Sequence, residues 1–254
     1  MRIVVKVGSH VLAENGGLAT TRIENLCHFL SDLCVKNEVI LVSSGAVAAG
    51  YTKLNIDRSI LGNKQAIAAV GQPYLMSVYK NTFAKHEKIV AQILLGADDF
   101  DSLRRTKHAR NAIEVLVSNG VIPIINENDV TTTQELVFGD NDQLSAHVAH
   151  FFDADLLVIL SDIDGYYDSD PRENSDASML KVVNDIDESD LNSMDTPNGE
   201  FATGGIVTKL KAAKFLLNHD REMFMSSGFD LADIRSFLLD DEHKGGTYFK
   251  RAVS

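Results

Sequence analysis

The sequence lacks three features that would direct its interpretation at once: an excess of basic residues, a long apolar run and a cysteine framework. With 36 acidic against 24 basic residues, the formal net charge is −12. Binding to nucleic acid or to an anionic membrane needs a basic face, so we expect neither partner. No apolar run reaches the roughly 20 residues that span a bilayer. Small anionic substrates stay open, because a local site can be basic on an acidic protein.

The two cysteines, Cys27 and Cys34, lie seven positions apart on one face of a predicted helix. A helix rises about 1.5 Å per residue, so this separation is too long for a disulfide. We expect buried thiols, which are typical of a reducing compartment. Residues 1–6 (MRIVVK) enter a strand-like segment without the apolar core of a signal peptide. The sequence therefore predicts a cytoplasmic protein.

Several motifs of catalysis and cofactor binding are also absent: GxxxxGK[ST], GxGxxG, CxxC and HExxH. Their absence excludes a P-loop and weakens a dinucleotide-binding interpretation. His147 and His150 lie three positions apart on a predicted helix, but no third ligand with suitable spacing is evident. We therefore expect no metal held by protein side chains alone.

The arrangement of apolar residues predicts one large domain over residues 1–254. Short apolar runs, several of them β-branched, predict strands near 3–7, 39–42, 89–95, 121–125, 156–160 and 223–225. Helical periodicity lies between them, near 23–34, 59–85, 98–119, 141–152, 206–219 and 230–239. The alternation indicates an α/β fold, a three-layer αβα sandwich with a mostly parallel central sheet. We also expect a hairpin arm over 130–138 and a polar segment, 162–204, wrapping over a cleft.

Two polar loops run directly into helical stretches, at 139–146 (GDNDQLSA) and 203–213 (TGGIVTKLKAA). Helix N-termini present unpaired N–H groups and partial positive charge, so each loop is a candidate anion site. Two such sites suggest a reaction between two anions. Lys209 follows Gly205 by four positions, so its ammonium could lie beside an anion that the Gly204 and Gly205 amides hold. The helix dipole otherwise disfavours a cation at this end.

Polar residues also follow several predicted strands, where open α/β sheets bind ligands. Lys6 is followed by a Gly turn and could neutralise a phosphate, although a strand-end lysine can also lie in solvent. Ser44, within 42–50 (VSSGAVAAG), could hold a carboxylate or phosphoryl group, or cap a helix.

Acidic residues follow two further predicted strands. Residues 126–129 (NEND) could place an acid near an amino group or a metal, or form an ordinary turn. Asp162 could orient Lys6 and Lys209 through charge-assisted hydrogen bonds, or be a turn residue.

Together these motifs resemble the amino acid kinase family and, within it, the branch that acts on L-glutamate. The match runs from residue 4 to 249 and includes 68–72 (AAVGQ), 170–172 (DPR) and 246–249 (GTYF). The resemblance implies ATP-dependent phosphorylation of the γ-carboxylate of L-glutamate, the first step of proline biosynthesis, with Mg²⁺ carried by the phosphates. Such a transfer needs alignment and charge neutralisation, and a carboxylate is already a nucleophile at neutral pH.

The resemblance also assigns roles to particular residues. It implies that Lys6, Lys209 and Asp162 are catalytic, and that Ser44, Asp129 and Asn141 bind glutamate. The nucleotide-binding residues that it implies are Lys6, Ser161, Asp162, Thr203, Gly204, Gly205, Ile206, Val207, Thr208 and Lys209. His10 and Ile206 depart from the residues usual in relatives.

Regulation and alternatives complete these expectations. The resemblance implies feedback inhibition by proline, and we also expect a homo-oligomer. Many relatives carry a C-terminal PUA domain, and we expect a catalytic unit without one. Two alternatives stay open: a kinase for N-acetylglutamate or carbamate, and a non-catalytic module that senses a nucleotide or an amino acid. Retention of both lysines and Asp162 argues against the sensor, since binding alone would tolerate their loss. A free α-ammonium needs a carboxylate, for which Asp129 is the best candidate, so we expect glutamate rather than its N-acetylated form.

Overall fold

A mostly parallel sheet of eight strands organises the computed structural model, which describes residues 1–131, 141–171, 173–188, 191 and 205–252. Its strands are β1 Arg2–Val7, β4 Glu38–Ser43, β5 Ile89–Leu95, β6 Val121–Glu127, β7 Leu156–Ser161, β8 Val182–Val183, β9 Glu222–Ser227 and β10 Thr247–Phe249. Their order across the sheet is β5-β6-β4-β1-β7-β9-β10-β8. Only the β9–β10 pair is antiparallel among the described strands of this sheet. A small antiparallel pair, β2 Ala13–Glu14 and β3 Gly17–Leu18, lies outside it.

Helices cover both faces of the sheet. In chain order they are α1 Ser9–Leu12, α2 Thr20–Leu33, α3 Ala46–Tyr51, α4 Leu61–Ala84, α5 Ala97–Phe100, α6 Leu103–Ser118, α7 Asn141–Phe151, α8 Ile206–Leu217 and α9 Ala232–Leu239. Along β1, Val4 packs into one buried cluster with α7 and α8, whereas Ile3 and Val5 pack into a second one with α2 and α4. Strands buried on both faces explain the continuous apolar runs of the sequence.

The carboxyl ends of the central strands meet at one edge of the sheet. Lys6 of β1 is in register with Val42 of β4 on one side and with Ile159 of β7 on the other. Strands β4, β6 and β5 lie on one side of β1, and β7 and β9 lie on the other. The direction of winding therefore reverses beside β1, which creates a crevice where open α/β sheets bind ligands.

Two glycines let α3 and α4 approach each other backbone to backbone. A Cβ atom on Gly50 would lie 1.9 Å from the carbonyl oxygen of Ile67, and one on Gly71 would lie 1.8 Å from that of Ala46. Neither position has room for a side chain. This contact fixes α4 beside the turn that follows β4, and it places Gln72, the next residue, at the crevice.

The structure confirms all six predicted strands and the αβα architecture, with some differences in detail. The helix predicted near 98–119 is divided into α5 and α6, because the Ser102 side chain accepts a hydrogen bond from the Arg105 N–H at 3.4 Å and caps a new helix. Strands β8 and β10 were not predicted, since each has only two or three residues. Among the described residues, no helix combines the length and apolar character that crossing a membrane requires.

Two predicted segments lie partly outside the described residues. Of the hairpin arm expected over 130–138, residues 132–138 lie outside them, and the chain turns just before, where the Thr131 N–H donates to the Asn128 carbonyl at 3.0 Å. Of the segment 162–204, residues 172, 189–190 and 192–204 lie outside them. Its described part folds back on itself through an antiparallel bridge between Tyr167 and Met179.

Candidate active site

Three charged side chains are buried together at the crevice, and we call Lys6, Asp142 and Lys209 the lysine cluster. Lys6 comes from β1, Asp142 from the first turn of α7 and Lys209 from the first turn of α8; they are 2%, 0% and 4% exposed. The Nζ of Lys6 lies 2.5 Å from Asp142 Oδ1, and the Nζ of Lys209 lies 3.1 Å from Asp142 Oδ2. Burial at this level excludes the alternative that Lys6 is a strand-end lysine in solvent.

The lysine cluster is held by further hydrogen bonds from α8. Thr208 Oγ1 donates to Asp142 Oδ2 at 2.9 Å, and Lys209 Nζ donates to the Gly205 carbonyl at 2.7 Å. Burial alone would raise the pKa of Asp142, but the two ammonium groups outweigh it and hold that pKa below its ordinary value. Two cations around one carboxylate leave a net positive charge for an incoming anion.

Asp142 occupies the place in which the sequence analysis expected Asp162. The Asp162 carboxylate instead accepts a hydrogen bond from Ser161 Oγ at 2.8 Å and lies 3.1 Å from the Nδ1 of His10. It is 44% exposed; partial burial raises its pKa, but the hydrogen bond from Ser161, together with the charges of His10 and Lys209, outweighs this and lowers the pKa. As the carboxylate between the two lysines, Asp162 was therefore the wrong residue. Its nucleotide-binding and catalytic roles stay predictions.

Next to the lysine cluster lies a cavity of about 410 Å³, which we call the polar cavity. All three residues predicted to bind glutamate, Ser44, Asp129 and Asn141, line it. Its other polar lining residues include Arg58, Lys64, Asn126 and Glu127. The structure thus brings together side chains that follow β4 and β6 with the first residue of α7.

Hydrogen bonds connect the walls of the polar cavity. The Nδ2 atom of Asn141 donates to Ser44 Oγ at 2.8 Å and to Asn126 Oδ1 at 2.9 Å. Asn141 and Asp142 are consecutive residues at the start of α7. One helical turn therefore serves both the polar cavity and the lysine cluster, which places them side by side.

The polar cavity carries charges of both signs. Burial raises the pKa of Asp129, an effect that nearby Lys64 reduces. Arg58 supplies a positive charge to the same lining. It stacks over the Tyr51 ring, with 4.7 Å between the guanidinium carbon and the ring centroid. A small molecule with both an ammonium and carboxylates fits such a lining, because each of its charges meets a partner of opposite sign.

The comparison with known proteins agrees with this geometry. The sequence model of the Amino acid kinase family matches residues 1–225. The chain belongs to the amino acid kinase family. It is 58% identical over 253 residues to a glutamate 5-kinase of Leishmania donovani, covering 100% of this chain and 96% of that one. It is also 56% identical to a glutamate 5-kinase of Wolinella succinogenes, covering 98% and 97%.

Solved structures support the same fold for this amino acid kinase. The isopentenyl phosphate kinase of T. acidophilum, in its product complex, superimposes with a TM-score of 0.67 at 14% identity, covering 98% of this chain and 100% of that one. The carbamate kinase of Giardia lamblia bound to AMP-PNP gives 0.67 at 14% identity, covering 99% and 98%. At these identities the likeness concerns the fold alone, and it confirms the predicted αβα sandwich.

The remaining residues predicted to bind nucleotide have different surroundings in this amino acid kinase. The side chains of Ile206 and Val207 are buried in the core, so only their backbone could reach a ligand. Gly205 precedes α8 and has open space where a side chain would be. Thr203 and Gly204 lie outside the described residues.

The cysteines and histidines raised by the sequence analysis lie apart from this site. Cys27 and Cys34 are free thiols; Cys27 is buried as predicted, whereas Cys34 is only half-buried. His147 and His150 pack with Phe151 and Phe215. In the part of the chain that the structure describes, no three His, Cys, Asp or Glu side chains converge as a metal site.

Sequence analysis did not assign three residues that the structure brings to the site: Asp142, Asn126 and Gln72. Asp142 was treated only as part of the polar loop 139–146, a candidate anion site. Asn126 belongs to the polar run 126–129, and Gln72 to the motif 68–72. Both runs were recognised, but the sequence carries no signal for which of their members points to the site.

Proposed function

We propose that this amino acid kinase is a glutamate 5-kinase, which transfers the γ-phosphoryl group of ATP to the γ-carboxylate of L-glutamate. The observation that carries the proposal is the adjacency of the polar cavity and the lysine cluster through consecutive residues, Asn141 and Asp142. The polar cavity is suited to a small zwitterionic acid, and the lysine cluster is suited to a phosphoryl group. The names of its relatives at 58% and 56% identity support the same activity.

In the proposed reaction, a γ-carboxylate oxygen attacks the γ-phosphorus of ATP, the bond to the bridging oxygen breaks, and ADP leaves. The carboxylate is ionised at neutral pH, so no base has to remove a proton. Lys6 and Lys209 neutralise charge that develops on the phosphoryl oxygens, and Asp142 keeps both ammonium groups in position.

The nucleotide would be held by Ser161, Asp162 and residues 203–209, in addition to Lys6. Mg²⁺ would be carried by the ATP phosphates and would supply further neutralisation of their charge. Asp142 does not fit as its ligand, since both of its carboxylate oxygens are already engaged by the lysines and Thr208.

Substrate choice depends on the α-ammonium of glutamate. Asp129 lies in the polar cavity and provides the carboxylate that this ammonium needs when it loses water. N-acetylglutamate has a neutral amide there, which could not form an ion pair with Asp129, and carbamate would leave most of the cavity empty. We therefore propose that the enzyme prefers glutamate to both.

Further properties come with this proposal. The reaction would be the first step of proline biosynthesis in the cytoplasm, and proline would inhibit in competition with glutamate. We also propose a homo-oligomeric enzyme. Initial rates over a range of glutamate concentrations, with and without proline, test the inhibition; activity unchanged by saturating proline contradicts it.

A coupled ADP-release assay tests the function itself, with glutamate, N-acetylglutamate and carbamate as acceptors and a reaction without acceptor as the control. We expect the highest kcat/KM with glutamate. A preference for either of the other acids would place the enzyme elsewhere in the family. Binding of ATP without turnover on any acceptor would instead favour a sensor.

A further inference from the structure

A row of four amide side chains runs from an exposed strand to the polar cavity, and the proposed reaction leaves its outer half without a role. Gln92 of β5 accepts from Gln72 Nε2 at 3.2 Å, and Gln72 Oε1 accepts from Asn126 Nδ2 at 2.9 Å. Asn126 Oδ1 then accepts from Asn141 Nδ2, whose second proton goes to Ser44 Oγ. We call Gln92, Gln72, Asn126 and Asn141 the amide row.

A single backbone group fixes the direction of every hydrogen bond in the amide row. The Glu127 N–H, which can only donate, lies 2.9 Å from Asn126 Oδ1 and so identifies that atom as the oxygen. The amide nitrogen of Asn126 must then face an acceptor, Gln72 Oε1. By the same reasoning Asn141 must direct its nitrogen to Asn126.

This direction determines what the polar cavity offers to a ligand. Because Asn141 uses both amide protons on Ser44 and Asn126, its carbonyl oxygen is the part that remains for a ligand. Ser44 Oγ accepts from Asn141, so its own proton is available for donation, and within the described residues no acceptor takes it. An acceptor for an ammonium therefore lies beside a donor for a carboxylate.

Gln72 is the member of the row that keeps this arrangement in place. It is buried, and α4 is fixed just before it by the backbone contact at Gly71. Without the Gln72 oxygen, the Asn126 amide nitrogen would lose its acceptor in a buried place, and rotation of Asn126 or Asn141 would become favourable. Gln92 is exposed, so water can replace it at the outer end.

We propose that Gln72 is a positioning residue for recognition of the amino acid: it acts through Asn126 to present the Asn141 oxygen to the ammonium and the Ser44 hydroxyl to a carboxylate. This inference rests on the proposed function, because it takes glutamate as the ligand of the polar cavity.

Substitution of Gln72 by methionine and by glutamate tests the proposal. Gln72→Met keeps the volume but removes the acceptor, and we expect KM for glutamate to rise on the order of tenfold while kcat and KM for ATP stay near wild type. Gln72→Glu should stay close to wild type. A protonated glutamate can accept from Asn126 and donate to Gln92, and an ionised one can accept from both after the Gln92 amide rotates.

A second substrate separates positioning from a general structural effect. Glutarate lacks the ammonium, so Gln72→Met should lower kcat/KM for glutamate more than for glutarate, by a similar factor on the order of tenfold. Lys80→Met, an exposed position of the same helix, is the matched control and should leave both substrates unaffected. If Gln72→Met does not fold, Gln72→Asn provides the same test, because the shorter side chain withdraws the acceptor.

Two results with Gln72→Met would overturn the inference while the proposed function stands: an active variant with wild-type KM for glutamate, or equal losses on glutamate and glutarate. Failure of Gln72→Glu to restore KM would also contradict it. A wild-type protein that releases no ADP with glutamate would instead contradict the proposed function, and this inference with it.

Discussion

The lysine cluster and the polar cavity share the first turn of α7 but are built by opposite means. The lysine cluster contains three ionised groups that are almost completely buried, each held by the charge of another. The polar cavity is open to ligand, and neutral amides and a hydroxyl form its inner wall. Consecutive residues, Asp142 and Asn141, contribute to the two.

This difference corresponds to two chemical tasks. A transferring phosphoryl group develops charge that fixed cations can stabilise, and such cations need a buried counter-ion to stay in place. Recognition of an amino acid needs charged partners for its ammonium and carboxylates and directional donors and acceptors to orient it; the polar cavity combines charged residues such as Asp129 and Arg58 with neutral amides and a hydroxyl. We infer that changes in the lysine cluster act on kcat and stability, whereas changes in the polar cavity act on KM for glutamate.

Among changes in the lysine cluster, removal of the Asp142 charge should cause the largest loss of stability. Asp142→Asn leaves two buried ammonium groups without a counter-ion, and we expect a loss of about 3–5 kcal/mol in the free energy of unfolding. Urea unfolding at neutral pH measures it, with exposed Glu173→Gln as the control. Because folding lowers the pKa of Asp142, the wild type should lose this contribution as the pH falls below about 4, the value in an unfolded chain. Equal stability of Asp142→Asn and wild type would show that Asp142 does not stabilise the two buried ammonium groups.

Removal of either cation tests the kinetic side of the comparison. Lys6→Ala and Lys209→Ala should each lower kcat by about 10²–10³, since each removes one fixed charge that acts on the phosphoryl group. Glutamate KM should change far less. Lys211→Ala, on the exposed side of α8, is the matched control and should behave as wild type in the same steady-state assay. Turnover within a few-fold of wild type in either of the first two variants would show that the transfer site lies elsewhere.

A change in the polar cavity should give the complementary result. Asp129→Asn removes the carboxylate that pairs with the α-ammonium and should weaken glutamate binding by about 1.5–3 kcal/mol. The loss should appear mainly in KM, because the ammonium lies away from the reacting carboxylate and is bound equally in the ground and transition states. Steady-state kinetics decide it; an unchanged KM for glutamate would remove Asp129 from the site.

The smallest expected effect is a pH dependence of stability at the outer side of α7 and α8, the helices that carry Asp142 and Lys209. His150 of α7 lies 4.2 Å from His219, between ring centroids, close to the end of α8. Burial and the neighbouring His219 and Arg221 lower the pKa of His150, which Asp153 partly offsets. Protonation therefore opposes folding, and stability should fall as the pH drops below about 6.5, the value in an unfolded chain. Thermal unfolding at pH 7.5 and 5.5 should show a smaller shift in His150→Gln; an equal shift would assign the effect to other groups.

Much of the fold and part of the site could be predicted because the signals are local. Continuous apolar runs predicted the central strands, and polar residues after them predicted the ligand edge, where Lys6, Ser44 and Asp129 lie. The short β8 and β10 could not be predicted, since their pairing depends on strands distant in sequence. Ser102 began a new helix within a stretch whose apolar periodicity continued across the break.

The exchange of Asp162 for Asp142 shows where the sequence signal ends. Both residues lie at the ligand edge, Asp162 after a strand and Asp142 in a loop that enters a helix, and neither local pattern identifies the partner of the lysines. Which one meets the lysines depends on how α7 packs against α8, a contact between helices that are more than 50 residues apart in the sequence. The same holds for Gln72, which reaches Asn126 only because Gly50 and Gly71 let two helices touch.

Equilibrium binding of glutamate in the absence of ATP would show whether the polar cavity binds glutamate independently of the lysine cluster. Isothermal titration of wild type, Lys209→Ala and Asp129→Asn under one set of conditions would suffice. We expect Lys209→Ala to bind glutamate about as tightly as wild type, and Asp129→Asn to bind it at least about tenfold more weakly. Loss of glutamate binding in Lys209→Ala, or wild-type binding in Asp129→Asn, would contradict this expectation.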